Sequence, residues 1–173
     1  EKTGEGWYAE VSLLGSGITA LANQGTNALI NDLNPQRQGS AHPNIAPYGD
    51  LLQCADGNLV LAVGSNAQFE SLCHTLGIPD LASGATFCTN ALRVMNRSTL
   101  MTQLNDAAKT WAWQKLHLAL HNARVPAGAV LTVKEALHQP GIQERYVVSE
   151  DGLKRLRTSA VHIGGIQNGT DIQ

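Results

Sequence analysis

Residues 48–63 read YGDLLQCADGNLVLAV, two apolar runs on either side of the dipeptide Asp56-Gly57. The runs, residues 48–54 and 58–63, have the length and composition of β-strands, and Asp-Gly suits the positive φ angles of a tight turn. The stretch therefore predicts a β-hairpin. Because Asp50 and Asp56 flank its strands, we expect each to be a solvated or turn-forming carboxylate.

A helix is predicted directly after the hairpin. Asn66 is its candidate N-cap, and Gly77 followed by Pro79 is the pattern of a left-handed C-terminal cap. Its apolar stripe consists of Phe69, Leu72, Cys73 and Leu76.

Two or three further helices are predicted over residues 89–122. Thr89 or Asn90 can cap the first of them, and Thr110 can cap the last. Their apolar stripes are Leu100, Leu104 and Ala108, and then Trp113, Leu116 and Leu120.

The rest of the chain predicts shorter elements. Residues 129–132 have an extended pattern and residues 133–137 a helical one. Two strand candidates follow, at residues 146–148 and 161–163, and residues 164–173 are polar and aperiodic, as in a frayed terminus.

Upstream of the hairpin, residues 7–11 form a strand candidate, and Ser12 stands where the N-cap of a following helix is expected. That helix has an apolar stripe that must pack on a partner surface: Leu14, Ile18, Leu21 and Leu29. Residues 31–47 lose this periodicity and are rich in Asn, Pro, Gln, Gly and Ser, which predicts a linker or an extended loop. We place a domain boundary there.

Length and charge limit the function classes. With 173 residues and 43% hydrophobic content, the chain can form one ordinary domain, with or without a segment of another. Its formal charge of -2 disfavours a nucleic-acid or membrane-surface partner. The sequence enters a strand pattern soon after Glu1 and has no initiator methionine, so we expect it to come from the middle of a longer protein.

Cysteine usage and hydropathy address the compartment. Cys54, Cys73 and Cys88 are odd in number and show no Cys-x-x-Cys spacing, which favours a reduced, intracellular chain. No apolar run approaches the roughly 20 residues that span a bilayer, and residues 1–8 do not have the pattern of a signal peptide. We expect a cytoplasmic protein.

A series of short motifs keeps an order that is typical of one enzyme family. In chain order they are GEG (residues 4–6), HPNIAPYG (42–49), ADG (55–57), LAVG (61–64), QF (68–69), LG (76–77), Asn90, Arg93, Asn96 and Arg97, VPAG (125–128) and EAL (135–137). Together they resemble the C-terminal half of family III CoA-transferases. This group includes formyl-CoA, carnitine and bile-acid CoA-transferases and the related α-methylacyl-CoA racemases.

The resemblance implies an α/β fold, as a fragment of a larger architecture. An α+β small domain with the hairpin and several helices would be joined to a strand-helix segment of a Rossmann-like large domain. The expected divisions are residues 1–30 (end of a large-domain segment), 31–47 (linker), 48–145 (small domain) and 146–173 (return toward the large domain). Family members form interlocked homodimers, so a homodimer is expected.

The resemblance also implies the reaction and its substrates. In the family an aspartate attacks an acyl-CoA thioester and forms covalent adducts, so that CoA passes from one carboxylic acid to another. That aspartate is expected upstream of Glu1, so no catalytic residue is assigned in this chain, and the isolated chain is expected to be inactive. The expected partners are an acyl-CoA and a carboxylic acid. No cofactor is expected apart from the CoA thioester as a substrate.

The candidate substrate-binding residues are Gly39, His42, Asn44 and Tyr48. Residues 39–44 occupy the place where some of these transferases have a glycine-rich loop that closes over the acyl adduct and excludes water. Only Gly39 of such a loop is present here, and the side chains of His42 and Asn44 are expected to donate hydrogen bonds instead. The alternative is that this segment is a structural linker.

Charge indicates where CoA is held. Residues 38–92 contain no Lys or Arg, and their four carboxylates give a local charge of -4. Phosphate groups require cations or helix N-termini, so we expect CoA to be held mainly by the large domain. Arg93 and Arg97, four residues apart, predict a structural ion-pair or capping cluster, with a CoA contact as the alternative.

Three alternatives stay open. The racemases use an acid/base residue shortly after the strand that LAVG ends, but residues 65–68 read Ser-Asn-Ala-Gln, which favours a transferase over a racemase. His117 and His121 are spaced for a helical metal site but lack a third ligand, so no metal is expected. A non-catalytic interaction or regulatory module is the alternative of another class.

Overall fold

The computed structural model describes residues 6, 8–32, 34–142, 146–150 and 152–156. The chain divides into two compact units, Glu1–Val130 and Leu131–Gln173. The boundary between these units falls within residues 48–145, the range predicted for the small domain, and the four predicted divisions stay predictions.

The described elements are mixed, so the predicted α/β class is confirmed. In the first unit they are α1 (Leu13–Ala20), α2 (Ala22–Asn31), β1 (Tyr48–Gln53), β2 (Asn58–Ala62), α3 (Asn66–Thr75), α4 (Asp80–Ser83), α5 (Asn90–Met95), α6 (Arg97–Ala108), α7 (Trp113–Asn122) and β3 (Ala127–Ala129). In the second unit they are α8 (Val133–Leu137), β4 (Tyr146–Val148) and β5 (Lys154–Leu156).

Strands β1 and β2 form the predicted antiparallel hairpin, with Leu52 opposite Leu59. The expected turn geometry is wrong, because Gly57 does not have a positive φ. The chain instead closes over four residues, with a hydrogen bond of 2.8 Å from Cys54 N to Gly57 O. Glycine is needed there because a Cβ atom would lie 2.7 Å from Cδ1 of Trp113.

Strand β3 pairs with the other edge of β2 and completes a three-stranded antiparallel sheet in the order β1-β2-β3. The extended segment predicted at residues 129–132 overlaps this strand only at Ala129. The sequence of β3 is Ala-Gly-Ala, and both residue types are depleted in strands. The strand forms because β2 offers an unpaired edge, so local pattern could not place it.

The apolar stripes predicted for α3, α6 and α7 contribute to one core that they share with side chains of β1 and β2. The shared core contains Leu52, Leu59, Leu61, Val63, Phe69, Leu72, Cys73, Leu100, Leu104, Ala108, Leu116 and Leu120, all 1% exposed or less. Burial at roughly 25 cal/mol per Å² of apolar surface makes this cluster the main stabilising feature of the first unit. Cys54, Cys73 and Cys88 are free thiols, and burial raises the pKa of Cys73 to about 12.

Two helix starts differ from the prediction. The N-cap of α3 is Ser65, whose Oγ accepts from Gln68 N at 3.2 Å while Gln68 Oε1 accepts from Ser65 N at 3.1 Å. Thr110 does not cap α7. Instead the backbone N–H of Trp113 donates to Asp56 Oδ1 at 2.7 Å, so the cap is supplied by the hairpin loop.

The other predicted helix ends are confirmed. Thr89 Oγ1 accepts from Leu92 N at the start of α5, and Gly77 adopts a φ of 77° after α3. Ser12 Oγ accepts from Gly15 N at the start of α1.

The strand predicted at residues 7–11 is wrong for residues 8–11, which have no strand pairing in the described structure. A strand is defined by hydrogen bonds to a neighbour, and no described strand lies beside this segment. Trp7 lies outside the described residues. The apolar stripe of α1 is exposed, with Leu14 at 74% and Ile18 at 60%.

The second unit contains a short helix and a hairpin. Thr132 and Glu135 form a capping box at the start of α8, and hydrogen bonds from the Thr132 hydroxyl and backbone hold the pKa of Glu135 below its ordinary value. The predicted strand at 146–148 is β4, which pairs with β5. The predicted strand at 161–163 and the predicted frayed residues 164–173 lie outside the described residues. No described helix is long and apolar enough to cross a membrane.

Gly49 controls how the chain enters β1. Its φ is 75°, and a Cβ atom there would lie 1.9 Å from the backbone oxygen of Ser40. Gly77 has nearly the same φ, 77°, but open space where a Cβ atom would stand.

We expect Gly49→Ala to lower the free energy of unfolding by about 3 kcal/mol or more, because backbone strain adds to a clash that only a backbone shift can relieve. Gly77→Ala is the matched control and should cost about 1 kcal/mol from strain alone. Urea unfolding of both variants measures the difference. Equal decreases in the free energy of unfolding would show that the clash with Ser40 O does not add to the cost of backbone strain.

Candidate functional site

The segment that contains the candidate substrate residues folds back on the start of β1. His42 N donates to Tyr48 O at 2.7 Å, and Ser40 Oγ donates to Gly49 O at 2.6 Å. Inside this loop, Asn44 N donates to Nδ1 of His42 at 3.1 Å. Residues 40–49 therefore form a closed loop rather than an extended linker.

Asn90 attaches this loop to the start of α5. Its Oδ1 accepts from Ala46 N at 3.1 Å, and its Nδ2 donates to Asn44 O at 2.8 Å. One amide side chain thus satisfies a backbone donor and a backbone acceptor that the loop leaves unpaired. Arg93 and Arg97 follow at spacings of three and four, which puts all three side chains on one side of the α5–α6 segment.

Arg93 is buried beneath the loop, with 1% of its surface exposed. Nε donates to Ala46 O at 2.7 Å, Nη1 to Phe87 O at 3.1 Å and Nη2 to Asn66 Oδ1 at 2.9 Å. The guanidinium carbon lies 4.5 Å from the centroid of the Phe69 ring, within cation–π distance. None of these partners is a carboxylate, and burial lowers the pKa of Arg93 from its ordinary value.

Arg97 binds the loop at two points and Asp50 of β1 at a third. Nη1 forms an ion pair with Asp50 Oδ2 at 2.6 Å, and Nη2 donates to the carbonyl oxygens of His42 and Ile45 at 2.5 and 2.7 Å. Asp50 is only 6% exposed, so the expectation of a solvated or turn-forming carboxylate is wrong for this residue. Its partner lies far along the chain, and no local pattern reveals it.

The predicted structural cluster of Arg93 and Arg97 is therefore present, and it binds the loop. Asp50 Oδ2 also accepts from Tyr48 N at 2.9 Å, which connects Arg97 to Tyr48 through one carboxylate. Sequence reasoning missed Asn90 as a member of the cluster. The 90, 93, 97 spacing of polar residues was the available signal.

The structure brings three of the four candidate substrate residues together. The His42 and Tyr48 rings meet edge to face with centroids 5.5 Å apart, and Tyr48 is 37% exposed. Asn44 is exposed, and its amide pairs with that of Asn27 in α2 at 3.3 and 3.5 Å. Gly39 lies at the start of the loop with a φ of 62°, and a Cβ atom there would have no atom within 4 Å. Their substrate role stays a prediction.

The polar side chains at residues 65–68 are used within the protein. Ser65 and Gln68 form the capping box of α3, and Asn66 accepts from Arg93. Neither a hydroxyl nor an amide titrates near neutral pH, so this position offers no group for proton transfer at a substrate carbon.

A separate cleft of about 420 Å³ lies between α3 and α4. It is lined by Asn66, Phe69, Glu70, His74, Pro79, Asp80, Ala82, Ser83 and Cys88. Two carboxylates and no Lys or Arg line it, which disfavours phosphate binding.

The metal alternative gains no support. The Nε2 atom of His117 lies 3.1 Å from Ala127 O, so this ring bonds the backbone of β3. Among the described residues, no three His, Cys, Asp or Glu side chains group as metal ligands.

We expect Arg97→Ala to lower the free energy of unfolding by about 3 kcal/mol, because the buried Asp50 carboxylate would lose its cation. The control is Lys109→Ala, which removes a 2.8 Å ion pair to Asp106 whose side chains are 57% and 62% exposed. That pair should contribute less than about 1 kcal/mol. Urea titrations at one pH compare the variants, and similar losses would contradict a stabilising role for the Asp50 contact.

Comparisons with known proteins agree with this architecture. The family model for CoA-transferase family III matches residues 1–164. A crystal structure of a CAIB/BAIF family protein from Brucella suis matches with a TM-score of 0.74 and 35% identity, over 95% of this chain and 43% of that one.

Curated relatives are similar over most of this chain but are longer. A succinate–glutarate CoA-transferase from Agrobacterium fabrum is 37% identical over 83% of this chain and 36% of its own length. The human succinyl-CoA:glutarate CoA-transferase is 31% identical over 86% of this chain and 34% of its own length. The chain thus spans about a third of the length of these relatives, and it belongs to CoA-transferase family III.

Proposed function

We propose that this chain is part of an acyl-CoA:carboxylate CoA-transferase. In that reaction CoA leaves one acyl group and joins the carbonyl carbon of another carboxylate, whose oxygen passes to the first acyl group. One C–S and one C–O bond break, one of each forms, and nothing is oxidised or reduced. The names of the Agrobacterium fabrum and human relatives support this substrate class. The nucleophilic aspartate that the family resemblance implies is proposed to lie in the complete protein outside these 173 residues.

The observation that favours a transferase over a racemase is the use of residues 65–68. A racemase must remove a proton from the α-carbon of its substrate and return one. This needs titratable side chains of the enzyme beside that carbon. Here Ser65, Asn66 and Gln68 are occupied by a helix cap and by Arg93. A CoA transfer needs no such proton transfer from this position.

Gly39, His42, Asn44 and Tyr48 are proposed to contact the acyl group or the carboxylate acceptor. Imidazole, amide and phenol groups donate hydrogen bonds to a carboxylate without adding charge. Arg97 and Asn90 form hydrogen bonds to the backbone of residues 45 and 46, which supports a fixed position for these donors.

The phosphates of CoA are proposed to bind mainly outside this chain. Residues 38–92 contain no Lys or Arg. Arg93 and Arg97 are directed to protein acceptors. The proposal also includes a homodimer in the cytoplasm and no cofactor apart from the CoA thioester as a substrate.

The test uses the complete protein that contains this chain, with succinyl-CoA and glutarate as substrates. We expect chromatography to show glutaryl-CoA formed at the rate that succinyl-CoA is consumed, whereas the 173-residue chain alone should be inactive. Deuterium exchange at the α-carbon of a 2-methyl-branched acyl-CoA, without CoA transfer, would instead establish a racemase. Activity in neither assay, with a panel of acids as acceptors, would favour the non-catalytic module.

His42→Asn tests the substrate role of the loop. Asparagine keeps an acceptor close to the position of Nδ1, so the bond from Asn44 N can persist while the rest of the ring is removed. We expect about tenfold slower transfer with little change in melting temperature. The control is His121→Asn at the exposed end of α7, which should transfer CoA at the unsubstituted rate. Equal rates of CoA transfer in both variants would show that the ring of His42 has no role in substrate binding.

A further inference from the structure

We propose that Arg97 is a positioning residue for the substrate, acting through the loop of residues 40–49. This inference rests on the proposed CoA-transferase function. It adds a residue whose donors go to protein acceptors and whose effect passes through His42 and Tyr48.

The contacts of Arg97 reach both of these residues by short routes. Nη2 donates to the carbonyl oxygen of His42, and Nη1 binds Asp50, whose Oδ2 accepts from Tyr48 N. A second donation, to Ile45 O at 2.7 Å, fixes the turn between them. One guanidinium therefore sets the backbone at both ends of the loop.

The geometry requires arginine rather than a cation in general. The planar guanidinium directs its donors in fixed directions toward a carboxylate and two carbonyl oxygens at once. A lysine ammonium is a compact point charge on a flexible chain, and it can stay near Asp50 without holding both carbonyls. Arg97→Lys should therefore preserve the charge and the fold while it loosens the loop.

The atoms that Arg97 binds are two backbone oxygens and one carboxylate oxygen, and none belongs to an apolar core side chain. Loosening them should affect the loop before it affects the hairpin beneath. A loop that covers the reacting acyl group keeps water out. When it loosens, water can take the place of the carboxylate acceptor: a C–O bond forms, the C–S bond breaks, and the thiol receives a proton.

The experiment compares the complete protein with its Arg97→Lys and Arg124→Lys variants, using succinyl-CoA and glutarate. Arg124 is an exposed residue that follows α7, and its substitution makes the same chemical change outside residues 40–49. Two quantities are measured: the ratio of succinyl-CoA hydrolysed to CoA transferred, and hydrogen exchange of peptides that cover residues 40–50 and β2. For Arg97→Lys we expect the ratio to rise about tenfold, with faster exchange in residues 40–50 and unchanged exchange in β2. Arg124→Lys should match the unsubstituted protein in both.

Asp50→Asn is the second variant if Arg97→Lys does not fold. The side-chain oxygen of asparagine still accepts from Tyr48 N, but the negative charge that orients Arg97 is lost. It should raise the same ratio. An unchanged ratio in a folded Arg97→Lys protein whose loop exchanges faster would overturn the positioning role and leave the CoA-transferase proposal intact. A rise of the same size in Arg124→Lys would also overturn it. If the unsubstituted protein transfers no CoA, the proposed function fails and this inference fails with it.

Discussion

Arg93 is a buried cation with 1% of its surface exposed. The arrangement around the loop depends on the acceptors that its guanidinium requires. An unpaired charge in such a place would cost several kcal/mol. Here two carbonyl oxygens, the Asn66 amide oxygen and the Phe69 ring face surround the guanidinium. Each acceptor belongs to a different part of the chain, so the requirement to satisfy one side chain fixes α3, the turn at residues 85–87 and the loop relative to α5.

This constraint has an electrostatic consequence for the surface above it. Arg93 and Arg97 direct their donors to protein acceptors, and residues 38–92 contain no Lys or Arg. These two cations are therefore used within the protein, and the exposed side chains of the loop include an amide, from Asn44, and a phenol, from Tyr48. Amide and phenol groups donate in fixed directions, so they discriminate by geometry rather than by attraction at a distance.

The features that sequence predicts here are those whose cause is local. The hairpin, the Ser12 and Thr89 caps and the helix stripes each follow from residues within one turn or one strand. The features it missed join distant residues: Asp56 caps α7, and Arg97 neutralises Asp50. A carboxylate beside a turn has the same local pattern whether it is solvated or buried. Its partner is chosen by tertiary packing, which no short window contains.

The same distinction explains why residues 31–47 looked like a linker, although residues 40–47 are held in place. A loop of polar residues has no periodicity, and fixing each residue costs about 1–2 kcal/mol in backbone entropy. Asn90 supplies two hydrogen bonds to this loop, Arg93 one and Arg97 two. At about 1 kcal/mol each, and more for those with a charged donor, these bonds offset part of that cost. A glycine-rich segment without these bonds would keep its backbone freedom, whereas residues 40–47 are ordered by contacts with α5 and α6.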